Sequence, residues 1–96
     1  MTAGTPFVKV TSPHFFARLH YRLRKRLPMW VVYRPTTREY PGKWVARMHV
    51  SLPSPRPTRF VLCHDTAPEL REMLPPYLRN LGRYPGDPPE IEEVWV

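Results

Sequence analysis

From Lys43 to Leu52 the chain alternates. Trp44, Ala46, Met48 and Val50 fall on one side, and Val45, Arg47, His49 and Ser51 on the other. A period of two predicts a half-buried strand, because successive side chains on a strand point to opposite faces. Upstream the period changes: Phe16, Leu19, Leu23 and Leu27 recur at steps of three and four. That spacing predicts an amphipathic helix with one apolar stripe. Ser12-Pro13 supplies an N-cap and a first-turn proline, and Pro28 supplies the stop. Arg18, Arg22 and Lys25 lie on the far side of this helix, with Arg24 and Arg26 flanking the stripe.

The remaining patterns predict a short α+β domain. Residues 29–33 are apolar and β-branched or aromatic, which predicts a first strand. Residues 34–42, with Pro35, Pro41 and Gly42, form a connection, and the strand at 44–52 follows. Pro53-Ser54-Pro55-Arg56-Pro57 lacks the N–H donors a ladder needs, so it predicts an exposed hairpin loop before a third strand at 58–63. Thr66-Ala67-Pro68-Glu69 matches a capping box that opens a helix reaching about Leu74, with Leu70, Met73 and Leu74 inward. Pro75-Pro76 ends it; Tyr77, Leu78 and Leu81 suggest an irregular piece; residues 83–89 are turn-rich; residues 91–96 form a last strand. Val8-Lys9-Val10 is a weak candidate for an edge strand. The expected fold is a small, mostly antiparallel sheet (β-β-β-α-β) with one short helix, preceded by a basic amphipathic helix. Residues 1–28 form the leader and residues 29–96 the domain. A domain of that size buries only about 60% of its unfolded surface, so the leader stripe or a homodimer partner is expected to add cover.

Charge sharpens this division. The net charge is +7, yet residues 1–28 hold six basic residues and no acidic one, whereas residues 29–96 hold nine basic and eight acidic. No apolar run approaches the ~20 residues needed to cross a bilayer, and basic residues interrupt the only stretch resembling a signal sequence. A single cysteine, Cys63, excludes an internal disulfide and fits a reducing, cytoplasmic setting.

Candidate chemistry is sparse. Cys63-His64-Asp65 invites a nucleophile–base reading, but adjacent strand residues face opposite ways. Cys63, His14, His20, His49 and His64 make no closely spaced ligand pair, and His49 is expected to face solvent. Glu90, Glu92 and Glu93 are expected to be a solubilising, edge-protecting cluster. Trp30, Trp44 and Trp95 each fall in a strand and are expected in the core. No glycine-rich phosphate loop is present. No catalytic residue, metal or cofactor is expected.

What remains is positive charge. Tyr21-Arg22-Leu23-Arg24-Lys25-Arg26 places four cations in six residues beside aromatic ones. Such a segment suits phosphates, an acidic protein groove or an anionic membrane surface, or is simply a solvated helix face. Arg34, Arg38, Lys43, Arg56 and Arg59 suggest a second patch in the loops around the central strand pair. The residues expected to bind an acidic protein surface or nucleic acid are Arg18, Arg22, Arg24, Lys25, Arg26, Arg38, Lys43 and Arg56.

Met29-Trp30, Tyr40-Pro41, Trp44-Val45-Ala46-Arg47, Glu69-Leu70-Arg71, Leu74-Pro75-Pro76, Leu78, Leu81, Arg83 and the Glu93-Val94-Trp95-Val96 ending carry a resemblance. From Met29 on, the chain resembles a group of small uncharacterised bacterial and prophage proteins. Members of that group begin near the Met-Trp pair, so residues 1–28 depart from it. The resemblance implies a compact α+β module from a mobile element and no catalytic residues. The resulting expectation is a non-enzymatic interaction protein, in one concrete version a phage-borne inhibitor of a host defence complex of the anti-CRISPR type. The alternative is a sequence-independent nucleic-acid-binding protein.

Overall fold

A computed structural model describes residues 8–9 and 13–96. Its elements run β1 (Val8–Lys9), α1 (Pro13–Arg22), a 3-10 turn (Arg24–Arg26), β2 (Pro28–Tyr33), β3 (Trp44–Val50), β4 (Arg56–His64), α2 (Ala67–Met73), β5 (Asn80–Gly82) and β6 (Ile91–Trp95). The sheet order is β1-β4-β3-β2-β6-β5. Strands β2 to β6 pair antiparallel, and β1 adds a short parallel edge on β4. The α+β class is therefore as expected. Two details differ. β5 is an unforeseen strand, and β6 lies inside the sheet between β2 and β5 rather than at its margin.

The alternation in β3 places its two sides as expected. Ala46 and Met48 join Trp30 and Val32 of β2, Leu62 of β4, and Leu70, Leu74 and Leu78 in one buried cluster. Trp44, Phe60, Met73 and Trp95 pack around it, so all three tryptophans serve the core and Trp30 lies at its centre, 0% exposed. Direct cross-strand neighbours share a face. The pairs Trp30↔Met48, Val32↔Ala46 and Trp30↔Trp95 therefore align the apolar side under the helices. α2 starts at the predicted cap: Thr66 Oγ1 accepts from Glu69 N at 3.3 Å. The return bond differs from the usual box, because Glu69 Oε1 accepts from the Thr66 hydroxyl at 2.9 Å.

The leader helix is shorter than its stripe. α1 ends at Arg22, and the chain tightens into the 3-10 turn, where Leu27 N donates to Arg24 O at 3.1 Å. Leu19 enters the core cluster and Leu23 packs against it, but Leu27 is 56% exposed. The cause is local. Pro28 disfavours helical backbone in the residue before it, and Leu27 takes a left-handed conformation with φ 52°. Its backbone is held there: Ser51 N donates to Leu27 O and to Arg26 O, and Leu52 N donates to Arg26 O. The predicted Ser12 cap and the Phe16 side chain lie outside the described residues.

A leucine in left-handed backbone costs roughly 1 kcal/mol relative to glycine. Leu27→Gly is therefore expected to raise stability by up to about 1 kcal/mol, read as a higher urea midpoint. A clear loss of stability would mean that the Leu27 side chain packs in the folded protein after all.

Candidate functional site

The strand registers sort the charged side chains into two ends of the sheet. Pro28 pairs with Val50, Val50 with Arg56, and Asn80 with Trp95. Arg79 and Val96 exchange backbone hydrogen bonds at 2.7 and 3.0 Å. The start of β2, the end of β3, the starts of β4 and β5 and the end of β6 thus meet at one end. The 3-10 turn joins them through the bonds from Ser51 and Leu52. This end carries Arg24, Lys25, Arg26, Arg56 and Arg79, and the segments that build it (20–28, 50–57, 77–82 and 95–96) contain no acidic side chain.

The other end gathers the start of β3, the end of β4, the start of β6 and the long loop after β2. Two of its cations are paired with carboxylates. Arg34 Nε donates to Glu92 Oε1 at 2.8 Å, and Lys43 pairs with Asp65. Arg38 lies in an open depression with Glu39 and Glu90. The loop patch proposed from sequence is therefore split: Arg34, Arg38 and Lys43 sit among acids, Arg56 lies at the opposite end beside the leader, and Arg59 is exposed within β4. Arg18 and Arg22 remain exposed on α1, where with Phe15 and Leu19 they line a hollow of about 120 Å³. Of the eight residues singled out from sequence, Arg24, Lys25, Arg26 and Arg56 are brought together; Arg79 joins them although its sequence context signals only an irregular connection.

Arg24 is the ordered member of the cationic end. Its Nη1 donates to Tyr21 O at 2.8 Å, and its guanidinium carbon stands 3.9 Å from the Tyr21 ring centroid. The bond satisfies a carbonyl at the C-terminus of α1, where cations also suit the helix dipole. Next to it a groove of about 390 Å³ is lined by His20, Arg24, Leu27, Pro28, Ser51 and Val96. His20 meets the Tyr77 ring edge-on at 5.5 Å, and burial lowers its pKa below the ordinary histidine value. Its Nδ1 has no hydrogen-bond partner among the described residues.

Two acid–base expectations need correction. His49 does not face open solvent: it is half-buried on the sheet face away from the helices, with the Tyr33 hydroxyl 3.5 Å from Nε2. Burial, aided by the charge of Arg47, lowers its pKa to about 4. Nor is Glu93 a solubilising edge residue. It pairs with Val32 on the helix side of an internal strand, and its side chain is 6% exposed. Arg71 Nε and Nη2 donate to its two oxygens at 2.8 Å each, and Trp95 Nε1 donates at 2.6 Å. Burial pushes the Glu93 carboxyl up, but the bonds from Arg71 and Trp95 outweigh it and hold the group below the usual carboxylate range.

Cys63 and its neighbour His64 do not share a face. Cys63 faces Val45 in the register while His64 faces Trp44, so the two point to opposite sides of β4. Among the described residues no three His, Cys, Asp or Glu side chains are placed to hold a metal ion. A slot of about 110 Å³ between Tyr33, Thr37, Glu39, Tyr40, Val45, Arg47 and Val61 lies away from the cationic end. No described helix is long and apolar enough to cross a membrane. Comparison with protein-family models, curated proteins and solved structures finds no match for this chain.

Proposed function

We infer that this protein is a non-enzymatic interaction module that grips an acidic partner through the cations of its leader and adjoining loops. One observation carries the reading. Arg18, Arg22, Arg24, Lys25 and Arg26 are all exposed, and none takes part in an ion pair with the protein's own carboxylates among the described residues. Clustered cations without internal counterions raise the local potential and speed encounter with anionic surfaces. An inhibitor of a host defence complex is one concrete form of this role.

Nucleic acid is the second reading. It is favoured by Tyr21 and Tyr77, exposed aromatic rings beside the cations, of which Tyr21 carries Arg24 over one face. Capture from the native host, comparing wild type with a variant in which Arg18, Arg22, Arg24, Lys25 and Arg26 are alanine, separates the readings. Acidic proteins held by wild type and lost from an equally folded variant are the expected result. Capture indifferent to the substitutions removes the proposal. Binding of generic DNA or RNA that weakens steeply with salt, through the same residues, transfers the surface to the nucleic-acid reading.

A further inference from the structure

The cationic end is more than a patch of charge. Leu27 is 56% exposed, Leu52 45% and Val96 43%, and all three lie in the segments that meet there. Leu27 and Val96 line the groove directly, and Ser51, next to Leu52, completes its wall. Both leucines leave about half of their surface to solvent, and Leu27 also occupies backbone that glycine would adopt more easily. Phosphates offer nothing to aliphatic side chains. Protein interfaces do: their centres combine desolvated apolar anchors with arginine and tyrosine inside a polar rim. Here the rim is Arg24, Lys25, Arg26, Arg56 and Arg79, and the centre is aliphatic.

We propose that this end of the sheet is a docking groove for an acidic protein segment carrying an aliphatic anchor, which seats against Leu27 and Val96, with Leu52 exposed at the margin, while its carboxylates meet the surrounding arginines. The proposal rests on the acidic-partner reading above and narrows it. It also assigns Arg56 and Arg79 to the site and leaves out Arg34, Arg38 and Lys43, whose neighbours include carboxylates. The occupant is an acidic polypeptide because the uncompensated charge of the rim demands anions and the centre demands hydrocarbon.

Fluorescence anisotropy with three labelled probes tests it: a Glu/Asp-rich peptide with a central leucine pair, the same peptide with serines there, and an oligothymidylate of equal charge. Burying an aliphatic side chain is expected to make the leucine peptide bind about tenfold tighter than the serine peptide. Leu27→Ser with Leu52→Ser should erase that preference and leave the weaker, salt-sensitive binding intact. Arg56→Glu with Arg79→Glu should weaken both peptides, whereas Arg34→Glu with Arg38→Glu should weaken neither to the same degree. Circular dichroism confirms that each variant is folded. Equal affinity for the two peptides, or a preference that survives the serine variant, overturns the groove while the acidic-partner reading stands. Insensitivity of both peptides to Arg24, Lys25 and Arg26→Glu overturns both, as does absence of peptide binding at low salt. Tighter binding of the oligothymidylate overturns the proposal in favour of nucleic acid.

Discussion

Arg71→Ala is expected to cost about 2–3 kcal/mol of folding stability at neutral pH, because it strands a buried carboxylate. Glu93 keeps only the Trp95 indole and the Asn80 side chain once the two guanidinium bonds are gone. The lower end of the range for broken buried pairs applies, since the Arg71 side chain is itself 37% exposed and water can enter in its place. Glu93→Gln should cost less, about 1 kcal/mol, because the amide still accepts from Trp95 and the released guanidinium reaches solvent. The pH dependence fixes the cause. In the wild type the folded pKa of Glu93 is depressed. Its contribution is therefore fully present above the unfolded value near 4.5 and fades as pH falls through the lower folded value. In Arg71→Ala burial dominates and carries the carboxyl up, so the variant recovers relative stability on acidification. Urea unfolding at pH 7 and in mild acid should show the gap between the two proteins narrowing. A loss below about 0.5 kcal/mol, constant with pH, would mean that the Arg71–Glu93 pair is not buried as described.

This ion pair also shows where sequence patterning stops being informative. β3 was legible because its alternation faces two different environments, and α2 because its cap is written in four consecutive residues. Glu92-Glu93 was misleading for a topological reason. Two adjacent acids at a chain end resemble a solvated margin, and only the pairing of β5 outside β6 turns that margin into interior. β5 itself has no local signal: Asn80-Leu81-Gly82 lacks β-branched residues and is a strand only because Trp95 and Val94 lie opposite. The candidate site was half visible for the same reason. Arg24, Lys25 and Arg26 are neighbours in sequence, so their clustering could be read directly. Arg56 and Arg79 lie far along the chain, and nothing short of the registers of β4 and β5 brings them to the same end. Conversely Arg38 and Lys43 looked equivalent to Arg56 until the fold placed carboxylates beside them. Leu27 completed the helical spacing, and Pro28 removed it from the stripe.

The leader's place in the fold yields the second large effect. Leu19→Ala is expected to cost about 2–3 kcal/mol, because a leucine only 8% exposed leaves a cavity when truncated. The loss should be global rather than confined to α1. Leu19 belongs to the same buried cluster as Trp30, Met48 and Leu70, and a domain of residues 29–96 alone is near the lower limit of self-sufficiency. Hydrogen exchange makes the distinction. If the leader is part of the cooperative unit, amides of β2 and β3 lose protection in step with those of α1. If it is an appended arm, α1 amides alone exchange faster and the urea midpoint of the sheet is unmoved, which would sink this account of the leader. The point bears directly on binding. Cations on a frayed arm must be ordered when a partner arrives, at an entropic cost in affinity, whereas cations on a helix seated by Leu19 and a turn pinned to Ser51 and Leu52 are already positioned beside Arg56 and Arg79. Leu19→Ala should therefore also weaken partner binding at temperatures where the protein remains folded, although Leu19 lies in the core and is not among the residues assigned to the groove.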